Sequence, residues 1–269
     1  MSHTLDLPRL RPSEYASLLC MCITGVLLIA LQLPMGWVAF GIGVALLVLS
    51  SDTFRRDIAL IYLSLALLGI TRIDTTVTYA HMGSMGLTLL LAVALPYFVS
   101  RYIYKDYLVR FRWHHGRSWY KKEVFYVFFT VVVSYFLLPF YLRDTGAYLN
   151  WSVEPGFSFL SRLFVGTNAL GIWDELFFIS TVLGILRRFL PFGQANFVQS
   201  VLFTSFLFEL GFTGWGPIAI FLFALLQGYV FRKTESLLYV VTIHLSLDFV
   251  LYLALIQAHY PSWIPIFIT

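Results

Sequence analysis

Glu175, Glu209, His244 and Asp248 stand inside long apolar runs in the last third of a 269-residue chain, with Asp174 beside the first of them. Carboxylates grouped with a histidine can do three kinds of chemistry. A buried carboxylate can take a proton from water, and a histidine can hold that water, donate to a developing oxyanion or protonate a leaving amine. An acid four residues along the helix can fix that histidine's tautomer, which completes a water-activating hydrolase site. The same donors suit one divalent ion such as zinc or manganese, with Glu175, Glu209, His244 and Asp248 as its ligands. They equally suit a proton or cation pathway through a membrane. Residue types alone leave these readings open, and leave open whether any cofactor is needed.

The elements that carry these groups must be helices. His244 and Asp248 are four residues apart and share one helical face. Asp174 and Glu175 are adjacent, so their side chains point about 100° apart and only one can aim squarely at a given point. Depth follows from the rise per residue. Counted from the inner end of each run, Glu175 lies about 18 Å deep, Glu209 about 21 Å, Asp248 about 19–20 Å and His244 about 13–14 Å. In a hydrocarbon core of about 30 Å these are positions at or near the midplane. A polar group there is costly and normally faces a protein interior or a water-filled cavity.

The rest of the chain reads as membrane scaffold. It is 59% hydrophobic and 18% aromatic, with only 12% charged residues. A soluble domain carries about twice that charge. The expected fold is all-α, a polytopic bundle with about nine transmembrane helices at 15–34, 36–50, 58–71, 83–100, 123–142, 165–187, 195–212, 215–231 and 236–257. The third is short and follows a charged turn at 52–57. With the N-terminus inside and the C-terminus outside, only Arg72, Arg143 and Arg162 fall in outer segments. The other fifteen of the eighteen Lys and Arg are inside, as the positive-inside rule requires. The first run, from Tyr15, reads as a true span and not as a cleavable signal.

The net charge of +4 thus reports topology and needs no nucleic-acid partner. The most basic stretch, 101–122, mixes Lys and Arg with Tyr, Phe and Trp. That mixture predicts an interfacial helix with snorkelling bases. His114 and His115 in it read as solvated. Cys20 and Cys22 point roughly 200° apart on one helix, which predicts two small buried apolar residues and no disulfide. Asn150-Trp-Ser152 is a formal glycosylation sequon on an expected outer loop.

The region from about 170 to 255 resembles the CPBP family of intramembrane endopeptidases, which includes the CAAX-processing proteases and the bacterial Abi proteins. The residues that carry the resemblance are Asp174-Glu175-Leu-Phe-Phe-Ile179, against an EExxxR motif; Gly228-Tyr-Val-Phe-Arg232-Lys-Thr-Glu-Ser236-Leu, against a Gly-rich helix and its turn; and His244-Leu-Ser-Leu-Asp248, against HxxxN or HxxxD. Ile179 stands where the family has Arg. Glu209 stands where the family's second motif, FxxxH, has His, and Ser205 where that motif has Phe. The resemblance implies that Glu175 is the base that activates water, that His244 and Asp248 orient it or stabilise the oxyanion, and that Glu209 replaces the histidine. It also implies a scaffold at 1–164, a catalytic core at 165–257, and a bacterial inner membrane as the location. Its partners would be membrane lipid and a protein or peptide substrate with a membrane-associated C-terminal segment. The lost Arg and His positions favour a rival, a non-catalytic relative with an immunity or scaffold role. A cation-coupled transporter is a weaker rival, because the chain has no inverted repeat.

Overall fold

The structure, a computed structural model, describes residues 7–114 and 116–268. Among the described residues the chain forms nine helical rods and no strand. They are α1 (Pro12–Ala30), α2 (Gly36–Val48), α3 (Asp52–Ile70), α4 (Tyr79–Tyr104), α5 (Lys121–Thr145), α6 (Phe157–Leu186), α7 (Phe192–Glu209), α8 (Gly216–Thr234) and α9 (Leu237–His259). An apolar run shielded from water must satisfy its own backbone, and a helix does so within one segment. Five rods, α1, α4, α5, α6 and α9, are long and apolar enough to cross a membrane. The most apolar stretch of α6 is 72% buried inside the protein, against 22% for α5. α6 is thus an interior helix, and α5 turns Phe125, Phe128, Phe136 and Phe140 outward.

Two expectations about the charged segments are corrected. The charged turn at 52–57 is helical, so α3 has 19 residues and is not short. Its charges are absorbed by ion pairs. Asp57 is fully buried, and its two oxygens accept from Arg56 Nε at 2.9 Å and Arg188 Nη1 at 2.8 Å. Asp106 pairs with both arginines, reaching Arg188 at 3.3 Å. A buried carboxylate held by two guanidinium groups is satisfied without leaving the helix.

The basic stretch is the second correction. The helix ends at Tyr104, and residues 105–114 and 116–120 are irregular. Lys105 and Tyr107 take left-handed backbone angles, φ +58° and +54°, which a helix cannot accommodate. The carbonyls of Arg112 and Trp113 then accept from the N–H groups of Leu237 and Leu238 at 2.7 and 3.2 Å. The stretch is therefore a strap over the N-terminus of α9, supplying partners for donors a helix start leaves unpaired. Ser236 caps the same end, its hydroxyl accepting from Tyr239 N at 3.3 Å. His114 is exposed. His115 lies outside the described residues, as do residues 1–6 of the polar N-terminal segment.

Cys20 and Cys22 are both free, and both are only partly buried, not buried as expected. The Asn150 amide of the sequon donates to Gly211 O at 2.8 Å.

Close helix contact brings the functional groups together. α6 approaches α9 at Gly171, where a Cβ would collide with the Asp248 carboxylate. α7 approaches α8 at Gly228, where a Cβ would collide with the Asn196 side chain. Asn196 and Gln199 bind across that contact to the carbonyls of Leu225 and Ala224 at 2.9 and 3.0 Å. These are helix-pinning hydrogen bonds of the usual membrane kind.

Candidate active site

α6 changes pitch where its acids stand. From Glu175 to Val182 its turns are π-helical, and the N–H of Leu183 bonds Phe178 O, five residues back. Thr181 Oγ1 donates to Leu176 O over the same spacing, at 2.9 Å. A wider turn holds more residues, so successive side chains diverge by less than the usual 100°. Asp174 and Glu175 therefore both reach one imidazole, which an even α-helix disfavours.

That imidazole is His244, on α9. Its Nδ1 lies 2.9 Å from Glu175 Oε1. Gln227, from α8, donates to the same oxygen at 2.8 Å and to Val240 O at 3.1 Å. Oε1 thus accepts from two sides, which assigns the ring proton to Nδ1 and leaves the Nε2 lone pair facing away from Glu175. On that side stand Asp174 Oδ2 and Asp248 Oδ1, each 3.8 Å from Nε2. Phe203 of α7 and Phe223 of α8 enclose the ring, with centroids 5.9 and 5.2 Å away. Behind it, Trp173 stacks on Phe177 and donates its indole N–H to Leu89 O at 2.7 Å, which fixes α6 against α4.

A cavity of about 360 Å³ between α5, α6, α8 and α9 reaches this cluster. Asp174, His244 and Asp248 line it, and Glu175 does not. Glu175 is fully buried behind the ring. Asp174 Oδ1, Asp248 Oδ2 and Glu175 Oε2 are buried without a hydrogen-bond partner. A buried acceptor left unpaired is costly, so such atoms call for a function.

The structure thus brings together Asp174, Glu175, His244 and Asp248. It does not bring Glu209 to them. Glu209 is the last residue of α7 and lines a separate cavity of about 270 Å³ with Gln32, Trp37 and Arg72. The charges that act on it are Asp74 and Arg72. The residue of α7 that meets His244 is Phe203, six positions earlier and about 9 Å along the helix. Equal depth counted from sequence was misleading, because α7 starts at Phe192 and ends at Glu209 itself. Gln227 is the site residue that the motifs do not announce. Its signal was present in the sequence, as a lone amide inside the apolar run of α8.

Among the described residues no group of three or more His, Cys, Asp or Glu is placed to hold a metal ion. Of the donor set expected for one, Glu209 is elsewhere and Glu175 Oε1 is taken by two N–H donors. The residues present do not fit a resident metal.

Against known proteins, no curated protein and no solved structure matches the chain significantly. Residues 156–250 match a family model, type II CAAX prenyl endopeptidase Rce1-like, a stretch that contains Asp174, Glu175, Gln227, His244 and Asp248. At the family level this segment is therefore similar to CAAX-type intramembrane proteases of the CPBP family.

Proposed function

We propose that the chain is an intramembrane endopeptidase in which His244, held from behind by Glu175, activates water in the cavity. Residues 165–257 carry the chemistry, and 1–164 serve as scaffold. The substrate is a membrane-associated protein, cut near its C-terminus or within a membrane segment. The setting is the cytoplasmic membrane of a bacterium, on the resemblance to Abi proteins.

The observation that carries this reading is the two-sided environment of His244. A carboxylate on Nδ1 and a cavity on Nε2 is the arrangement of an oriented general base. Water bound at Nε2 gives its proton to the ring as its oxygen attacks the substrate's carbonyl carbon. The C–N bond then breaks, and the ring returns the proton to the leaving nitrogen. Asp248 and Asp174 flank Nε2 and can accept the water's second hydrogen, which fixes its lone pair toward the carbonyl. Glu175 acts through the ring: it sets the tautomer and stabilises the imidazolium that forms. This differs from the role the resemblance implies for Glu175, the base itself, because Glu175 has no access to the cavity.

The test is cleavage of a membrane peptide by reconstituted protein, with His244→Ala and Asp248→Asn beside the wild type. Loss in both variants, at unchanged thermal stability, supports the reading. Retained cleavage in His244→Ala overturns it. One observation favours a second reading, a non-catalytic relative with a binding role. Phe203 meets His244 on the helix from which the family would supply a second histidine. Wild-type protein that binds membrane peptides and cleaves none would establish that reading.

A further inference from the structure

Glu209, which the catalytic cluster leaves out, ends α7 at a cavity of about 270 Å³ with a chemistry of its own. α1 and α3 also end there, supplying Ile29 and Ile70 to its wall, and α2 begins there, supplying Trp37. A helix C-terminus carries partial negative charge, and an N-terminus partial positive charge. Three C-terminal ends and a carboxylate outweigh the single N-terminus of α2, so the cavity attracts a cation.

The protein itself does not supply that cation. Among the described residues Glu209 makes no hydrogen bond and no ion pair. Arg72 lines the same cavity, but its Nε is held by Asp74 Oδ2 at 2.8 Å. Asp74 and Arg72 are the charges that act on Glu209, and being opposite they largely cancel. Gln32 brings an amide to the cavity wall from a left-handed backbone, φ +50°. A residue other than glycine rarely takes that conformation, and such positions gather at ligand clamps.

These groups are open to an occupant. Glu209 is half-buried, Gln32 and Trp37 are exposed, and 83% of the Arg72 side chain is exposed. Leu33 and Ile70 line the cavity and are exposed as well. α1 has 19 residues, about 28 Å at the helical rise, which matches a hydrocarbon core of about 30 Å. A cavity at its end therefore lies at the level of lipid headgroups.

We propose that this cavity holds the headgroup of a zwitterionic phospholipid with a primary amine, phosphatidylethanolamine. Its ammonium donates to the Glu209 carboxylate and to Gln32 Oε1, with the Trp37 ring in the same wall. Its phosphate, two carbons away, accepts from the terminal N–H groups of Arg72 that Asp74 leaves free. Glu209 and Arg72 form no ion pair with each other, and an ethanolamine bridges that gap. The acyl chains leave along Leu33 and Ile70. The lipid fastens the ends of α1, α3 and α7 and takes no part in the cut, so this inference does not rest on the protease reading.

The test is native mass spectrometry of the full-length protein released from detergent. The protein is first incubated with equal amounts of phosphatidylethanolamine, phosphatidylcholine and phosphatidylglycerol of the same acyl chains. Phosphatidylcholine carries the same charges without an N–H donor, and phosphatidylglycerol carries no cation. The wild type is expected to retain phosphatidylethanolamine about tenfold over either. Glu209→Gln, which keeps the shape and removes the charge, is expected to abolish that preference. Arg72→Gln, a change at an exposed side chain, is expected to lower retention of phosphatidylethanolamine and phosphatidylcholine alike, because it acts on the phosphate. Added phosphatidylethanolamine should raise the melting temperature of the wild type and not that of Glu209→Gln. The proposal is overturned if the wild type retains the three lipids equally or retains none, or if Glu209→Gln keeps the preference. It is also overturned if free phosphoethanolamine at equal concentration displaces the lipid, which would make the ligand a soluble zwitterion. Should Glu209→Gln fail to fold, the lipid comparison in the wild type and Arg72→Gln still decide.

Discussion

His244 Nδ1 lies 2.9 Å from Glu175 Oε1, although the two residues are 69 positions apart and sit on different helices. The contact exists because α6 turns π-helical at Glu175 and because Gly171 lets α9 approach α6 closely. Everything proposed for the chemistry depends on this pair, so the first prediction addresses it.

Glu175→Gln replaces an acceptor-only carboxylate by an amide that can turn its N–H toward Nδ1. That favours the tautomer with the proton on Nε2, where the base needs a lone pair. The kcat is expected to fall by as much as about 10⁴, the drop that follows when the orienting acid of a catalytic histidine is neutralised. Thermal stability should change little, since the two side chains are nearly isosteric. Unchanged kcat in the variant would remove Glu175 from the mechanism.

Gln227 makes two hydrogen bonds, to Glu175 Oε1 and Val240 O. Gln227→Leu leaves both acceptors buried and short of a donor, at a cost of about 1–3 kcal/mol for each group left unsatisfied. The expected result is a lower melting temperature together with a reduced kcat. Gln227→Glu should be worse in both respects, because it sets a second carboxyl against Glu175. Wild-type values in the Leu variant would show that Gln227 is incidental.

Gly171 owes its identity to Asp248. Gly171→Ala puts a methyl group where the Asp248 carboxylate stands, and overpacking of this kind costs about 1–3 kcal/mol. Because the collision is with a site residue, activity is expected to fall further than stability. Activity assays and melting curves on Gly171→Ala and Gly184→Ala decide this. Gly184 lies in the same rod, where an added methyl meets nothing within 4 Å, and its variant should be near neutral in both.

Glu209 provides the contrast. It lines another cavity with Arg72, so Glu209→Ala should leave kcat/KM within about threefold of wild type, a change of under about 1 kcal/mol. A loss of a hundredfold or more would place Glu209 in the catalytic path after all.

Much of this architecture was legible in the sequence, for identifiable reasons. A buried helix in a membrane must be apolar along its whole length, so each rod shows as a run, and any acid or histidine inside a run stands out. Asp174, Glu175, His244 and Asp248 were visible on that basis. What a run does not reveal is azimuth. Glu209 sat at the right counted depth, yet it ends its helix and lines another cavity with Arg72, while Phe203 packs against His244. Nor does a run reveal pitch: the π-helical turns that bring both Asp174 and Glu175 to one ring leave no compositional mark. Asp57 reads from sequence as part of a charged turn, because its partner Arg188, and Asp106, which shares Arg56 and Arg188 with it, come from distant segments. The basic stretch misled for a related reason. Its bases and aromatics suggested a helix on the membrane surface, whereas the function visible in the structure belongs to its backbone, the carbonyls of Arg112 and Trp113 at the start of α9.

The most direct test of the central claim is cleavage of a membrane-spanning peptide in vesicles by wild type, His244→Ala, Asp248→Asn and Glu209→Ala, measured together with melting temperatures. The account predicts cleavage by wild type and Glu209→Ala, and a loss of about a hundredfold or more in the His244 and Asp248 variants at unchanged stability. Equal cleavage by all four proteins, or loss confined to Glu209→Ala, would contradict it.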